Sequence, residues 1–186
     1  NNLKPGLKID LLTNLKWHDN FLKRFIQEVD SAKLKRNSKY ASIRVSYHPS
    51  QMNAQELVNR AKILQDAGFS IGIWGILYPS SEHLSLVNQM QFICKDAGID
   101  FRTKEFTGFY KGELYGDYSK FQNSVLQKEV KDRSCKTSEL LISSDGNVYK
   151  CHRDLYAEDN PIGNLLDNNF NIESKFRSCF RYGECH

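Results

Sequence analysis

Apolar and polar positions alternate over Leu7, Ile9 and Leu11 and predict a β-strand. A stripe at helical spacing follows, at Phe21, Leu22, Phe25, Ile26 and Val29. A second strand carries Ala41, Ile43 and Val45. A second helix begins at Asn53, where Glu56 completes a capping-box spacing, and runs through Leu57, Val58, Ala61 and Leu64 to Gly68. A third strand carries Ile71 and Ile73. The third helix carries Leu84, Val87, Met90, Cys94 and Ala97 and stops at Gly98, and a fourth strand starts near Ile99 and Phe101. The two helix endings nearly repeat, Asp66-Ala67-Gly68-Phe69 and Asp96-Ala97-Gly98-Ile99, about one βαβ unit apart. Their glycines fit left-handed caps. Strand and helix alternating at this period predict an α/β fold with parallel strands and helices outside.

The other face of the predicted strands is polar. Lys8, Asp10 and Asn14 alternate on the first, Ser42, Arg44, Ser46 and then His48 on the second, Gly72 and Trp74 on the third, and Asp100, Arg102 and Lys104 on the fourth. A closed (β/α) barrel fills its lumen with bulky branched apolar residues. Burying this many unpaired polar groups would cost roughly several kcal/mol. The pattern therefore predicts a partial (β/α) barrel, open and ligand-filled, with Arg44, Ser46 and Trp74 in one cavity at the carboxyl ends of the strands. A plain solvent-facing sheet is the alternative.

Residues 107–134 break the rhythm. Gly108, Gly112 and Gly116 alternate with Phe109, Tyr110, Tyr115 and Tyr118, which reads as a loop or linker, and a short helix is expected over 123–130. The basic run Lys33-Leu34-Lys35-Arg36 reads as a solvated loop. The expected domains are 1–106, the later part of the barrel; 107–134, the linker; and 135–186, a small cysteine-rich region.

That region holds Cys135, Cys151, Cys179 and Cys185, and Asp145-Gly146 between two apolar runs is a hairpin signal, because a tight turn wants positive φ. A turn centred there sets Cys151 opposite Leu140, with Cys135 further out, so residues 136–139 must bend back for the two thiols to meet. A β-branched residue at Gly146 is expected to cost about 1 kcal/mol or more. Three readings stand for the four thiols: core cysteines, a structural zinc site, or an iron–sulfur cluster. The spacings are wide for zinc, which favours close C-x2-C pairs. Four thiolates suit a [4Fe-4S] cluster. Cys94, on an apolar helix stripe, reads as core.

Composition narrows the classes. The 186 residues are 40% hydrophobic and 26% charged, as in a folded soluble domain. A net charge of +4 is too mild and dispersed to argue for nucleic acid. No run approaches the ~20 apolar residues that span a bilayer, and no signal peptide opens the chain. Five cysteines without a secretion signal point to a reducing, cytoplasmic setting. The Asn start and the abrupt Cys185-His186 end read as those of an internal fragment.

Taken together, Cys135, ten residues, Gly146, four residues, Cys151 resembles the opening of the auxiliary SPASM or twitch domain of radical S-adenosylmethionine (radical SAM) enzymes. Ile162-Gly163-Asn164-Leu165 looks like the turn that follows that hairpin, and Cys179 and Cys185 resemble part of its later cysteine cluster. Upstream, Thr13-Asn14, Val45-Ser46-Tyr47-His48 and Gly72-Ile73-Trp74-Gly75 are similar to strand ends of that family's barrel. The family's CxxxCxxC loop and Gly-Gly-Glu strand are absent, which fits a fragment that is inactive alone. The resemblance implies reductive cleavage of S-adenosylmethionine by the parent enzyme, with Asn14, Ser46 and His48 near the methionine or ribose and Trp74 and Gly75 near the adenine. It implies an auxiliary [4Fe-4S] cluster on Cys135, Cys151, Cys179 and Cys185, for substrate binding or electron transfer. The implied partners are a peptide or small-molecule substrate and an electron-donor protein. A non-catalytic zinc module with the same four cysteines is the alternative.

Overall fold

The computed structural model describes residues 8–35, 37–115, 131–136, 139–171 and 175–182. The chain divides into two compact units, Asn1–Gly116 and Asp117–His186. The expected helix over 123–130 lies outside the described residues.

The first unit is a mixed α/β layer. Its elements are β1 (Leu11–Thr13), α1 (Asp19–Glu28), α2 (Ser31–Leu34), β2 (Ile43–Tyr47), α3 (Ala54–Asp66), β3 (Ile71–Leu77), α4 (Ser81–Ala97) and β4 (Asp100–Glu105). The four strands form one parallel sheet in the order β1-β2-β3-β4; it does not close into a barrel. The pleat sorts the side chains by parity. Ile43, Val45, Tyr47, Ile71 and Ile73 are buried together with Leu22 of α1, Leu57, Val58, Ala61 and Leu64 of α3, and Met90 and Cys94 of α4. One core therefore lies between the sheet and its helices.

The helix ends follow from the sequence. Asn53 Oδ1 accepts from the Glu56 amide at 3.0 Å. The other half of the expected capping box is absent, because the Glu56 carboxylate turns to Arg60 instead. Both repeated endings close in the same way. Gly68 (φ +89°) and Gly98 (φ +67°) are left-handed. Phe69 N–H donates to Leu64 O at 3.1 Å, and Ile99 N–H to Cys94 O at 2.9 Å. Phe69 and Ile99 then drop into the core, completing a Schellman cap with its apolar contact.

The basic run is not simply a solvated loop. Asp30 accepts from the Ala32 amide and starts a single turn, α2, whose Leu34 reaches the core. The correction has a local cause: one cap and one apolar residue outweigh three flanking cations.

The expected linker also contains structure. β5 (Gly108–Tyr110) and β6 (Glu113–Tyr115) form an antiparallel hairpin. Tyr110 lies 4.9 Å, centroid to centroid, from Tyr78, which follows β3. Tyr78 also meets Phe106 edge-on at 4.8 Å. This aromatic packing holds the hairpin at the carboxyl ends of β3 and β4.

The second unit is built from small antiparallel pairs. β7 (Lys131–Cys135) pairs with β11 (Arg177–Tyr182). β8 (Leu141–Ile142), β9 (Asn147–Tyr149) and β10 (Gly163–Asn164) form a three-stranded sheet in the order β10-β9-β8. α5 (His152–Ala157) follows β9. No helix among the described residues is long and apolar enough to cross a membrane.

Candidate functional site

In the first unit the candidate site is the sheet face opposite the helices. Ladder register aligns Leu12, Arg44, Gly72 and Asp100 in one row, and Ser46, Trp74 and Arg102 in the next. Arg44 Nη2 donates to Asp10 Oδ2 at 2.8 Å. Arg102 Nε donates to Asp100 Oδ2 at 2.8 Å, its Nη2 donates to Lys39 O at 2.6 Å, and its guanidinium lies 4.8 Å above the Tyr40 ring. An open recess of about 320 Å³ is lined by Tyr40, Arg44, Trp74, Arg102, Thr103 and Lys104.

The expected residues distribute unevenly over this face. Trp74 and Arg44 line the recess; Ser46, half-buried beside Trp74 in the ladder, does not. The recess opens over the middle of β2–β4 and reaches back to Tyr40 ahead of β2, so it is not confined to the carboxyl ends. Trp74 has a packing role as well, because its ring occupies the space a Cβ on Gly72 would need. Asn14 is exposed just past β1, where its side chain accepts from the Lys16 amide in an Asx turn. His48 is exposed past β2, and its carbonyl accepts from the Gln51 amide. Gly75 is buried on the helix side, where Val87 and Phe101 take up the room a side chain would fill. Only its backbone is available to a ligand on the open face. Ser42 is also covered, and its hydroxyl donates to Ser70 O at 3.3 Å. Tyr40 was not foreseen. It precedes β2, outside the strand alternation, and its contact with Arg102 arises only in the fold.

In the second unit the turn differs from the expected two-residue form. Ser143 N–H donates to Asn147 O and Gly146 N–H to Ser143 O, so Ser144, Asp145 and Gly146 form a three-residue loop with Gly146 at φ +86°. The pairing Leu141↔Tyr149 continues formally to Glu139 opposite Cys151, one residue from the expected Leu140. The extra residue is the left-handed glycine. A bond between Ser143 Oγ and Asp145 Oδ1, together with the Asn147 amide, holds the Asp145 carboxyl below its ordinary range.

The segment 162–165 locks this loop. Asn164 Nδ2 donates to Asp145 O at 3.2 Å and to Asn147 Oδ1 at 3.0 Å, and its Oδ1 accepts from the Leu166 amide at 2.8 Å. Gly163 is required because the Phe170 ring sits where its Cβ would be.

Cys135 is not on an extension of this hairpin. It lies on β7, paired with β11, where Cys135 faces Arg177 and Arg133 faces Cys179. In an antiparallel pair these four side chains share one sheet face, and diagonal neighbours lie about 7–8 Å apart, Cβ atoms somewhat closer. Cys135 and Cys179 are such neighbours, both half-buried. Cys151 is the N-cap of α5, and burial pushes its thiol up. The residue before it, Lys150, donates from Nζ to Ser178 O at 3.0 Å, adjacent to Cys179. Asp154, in the first turn of α5, is buried. Its Oδ1 meets Arg153 Nη1 at 3.0 Å, while Oδ2 has Lys150 Nζ at 3.5 Å, longer than a hydrogen bond. Cys185 lies outside the described residues. Among the described residues, no three His, Cys, Asp or Glu side chains come together as a ready-made site for a single metal ion. Cys94 is fully buried against Tyr47, and its thiol is pushed up to about 12 by burial.

No protein-family model, curated protein or solved structure matches this chain.

Proposed function

We infer that the chain is part of a radical SAM enzyme, a partial (β/α) barrel followed by an auxiliary domain of the SPASM or twitch type. In this reading Cys135, Cys151, Cys179 and Cys185 hold a [4Fe-4S] cluster, and S-adenosylmethionine lies on the open face of the parallel sheet near Asn14, Ser46, His48, Trp74 and the Gly75 backbone. The observation that carries it is the β7–β11 pairing. It makes Cys135 and Cys179 diagonal neighbours on one face although 43 residues separate them in sequence. The Lys150–Ser178 bond ties the chain beside Cys151 to the chain beside Cys179. Thiolates from separate short elements are the usual donors to such clusters. A bound cluster would also stabilise a unit whose sheets are only two and three strands wide. When bound, the cluster would supply a one-electron or Lewis-acid centre. This chain's own residues position it: the Asn164-locked loop fixes β9, and β9 fixes Cys151.

The test is anaerobic reconstitution of the full chain and of five Cys→Ala variants, with iron, sulfide and zinc measured per chain. Loss of iron and sulfide in the variants at 135, 151, 179 and 185, with retention in Cys94→Ala, is the expected result. Stoichiometric zinc without sulfide would replace the cluster by a four-cysteine zinc site. Full iron retention in both Cys135→Ala and Cys151→Ala would overturn the ligand set.

A further inference from the structure

We propose that the recess of the first unit binds a small organic carboxylate whose apolar or aromatic body lies against Trp74 and Tyr40. The argument starts from charge. Arg44, Arg102 and Lys104 line the recess, and Lys39 reaches over the Tyr40 ring. Among the described residues, Asp10 and Asp100 are the carboxylates paired there. Four cations against two anions leave the site electropositive.

The donors that remain define the ligand more closely. Arg102 spends its Nε on Asp100 and its Nη2 on the Lys39 carbonyl. Arg44 donates to Asp10 through Nη2 alone. Lys104 forms no ion pair among the described residues. A guanidinium has five N–H donors, so Arg44 and Arg102 keep Nη donors beyond these bonds, and with Lys104 Nζ the wall offers charge-assisted donors to a carboxylate. The aromatic walls and a volume of about 320 Å³ suit a small, partly apolar body. The site shares Trp74 with the proposed S-adenosylmethionine position, but the inference rests on the first unit alone and does not depend on a cluster in the second.

Phenylacetate titrated into the full chain, followed by proton–nitrogen correlation spectra, tests it. The chain has two tryptophans and so two indole N–H signals. Trp17, packed on Phe21 and Phe25, is the internal control, and Trp17→Phe assigns the pair. The expected result is a saturating shift of the Trp74 indole with the Trp17 indole still. Lys104→Gln, at an exposed position on the edge strand β4, should weaken binding about tenfold, as loss of one charge-assisted bond predicts. Arg44→Gln should do the same; if it fails to fold, the Lys104 variant still decides. No saturation with phenylacetate overturns the proposal. An equal response to inorganic phosphate assigns the recess to phosphate instead, and an equal response to benzylamine reduces it to an apolar contact; either outcome overturns it. Iron content is read on the same samples, so failure of the cluster reading and failure of this one are separately visible.

Discussion

Gly146 joins the turn of the second unit to the segment that locks it. At φ +86° a side chain is strained, by about 1–2 kcal/mol for an ordinary L-residue. Space is short as well: a Cβ there would stand 3.0 Å from Asn164 Oδ1 and 3.4 Å from Leu166 Cγ. Asn164 cannot retreat freely, because it bonds Asp145 O, Asn147 Oδ1 and the Leu166 amide. Weakening one of those bonds adds about 1 kcal/mol. Gly146→Ala should therefore destabilise the second unit by about 2–3 kcal/mol. Gly146→Asn should cost less, because asparagine tolerates the left-handed region while keeping the steric conflict. The difference between the two variants isolates the backbone strain. Amide hydrogen exchange reads each unit separately. The Leu165 and Ser143 amides, which bond Gly146 O and Asn147 O, should lose roughly thirtyfold or more of their protection in the alanine variant, as ~2 kcal/mol requires. Val45 and Ile73, in the first unit, should not change. Unchanged protection at Leu165 and Ser143 would refute the reasoning, and equal losses in the two variants would show that strain contributes nothing.

In the first unit, Gly75→Ala places a Cβ 3.1 Å from Phe101 Cζ and 3.2 Å from Val87 Cγ1. Overpacking of this kind costs about 1–3 kcal/mol, so the urea midpoint should fall; an unmoved midpoint would mean that α4 can shift aside. Asp154→Asn removes the buried carboxylate from between Arg153 and Lys150 and should cost about 1–3 kcal/mol, seen as faster exchange at the Asp159 amide that bonds Asp154 O, and full protection there would contradict it. The Cys94 thiol is raised from an ordinary 9.0 to about 12 by burial. The unfolded chain therefore releases this proton first, and the contribution to stability, complete below about pH 9, is lost as pH rises toward 12. Comparing unfolding midpoints of the chain and Cys94→Ala across that window should show a steeper alkaline fall for the chain carrying Cys94; parallel curves would dismiss the effect.

The alternating core of the first unit was legible because local chemistry and tertiary burial ask for the same residues. Ile43, Val45, Ile71 and Ile73 sit at strand period, Leu57, Val58, Ala61 and Leu64 at helix period, and the two Asp-Ala-Gly endings cap as their glycines require. The polar opposite face was legible for the same reason, since a pleat sends alternate residues to opposite sides. What the pattern did not contain was long-range. No local feature of Cys135 reveals that its strand pairs with β11 rather than continuing into the hairpin, because strand partners separated by 40 residues are chosen by tertiary packing. The one-residue change of hairpin register has a similar origin. Asp145-Gly146 permits either a two- or a three-residue loop, and the bonds from Asn164, 18 residues beyond Gly146, accompany the longer form. Tyr40 joins the recess only because Arg102, 62 residues later, folds back over its ring. The sequence by itself determined the alternating strand and helix core of the first unit and how α3 and α4 stop, although Phe21 of the expected stripe is exposed and Ser42 of the expected open face is buried. Only the tertiary structure decided which thiols, cations and rings became neighbours, because those contacts depend on loop closure and sheet pairing that no short window encodes.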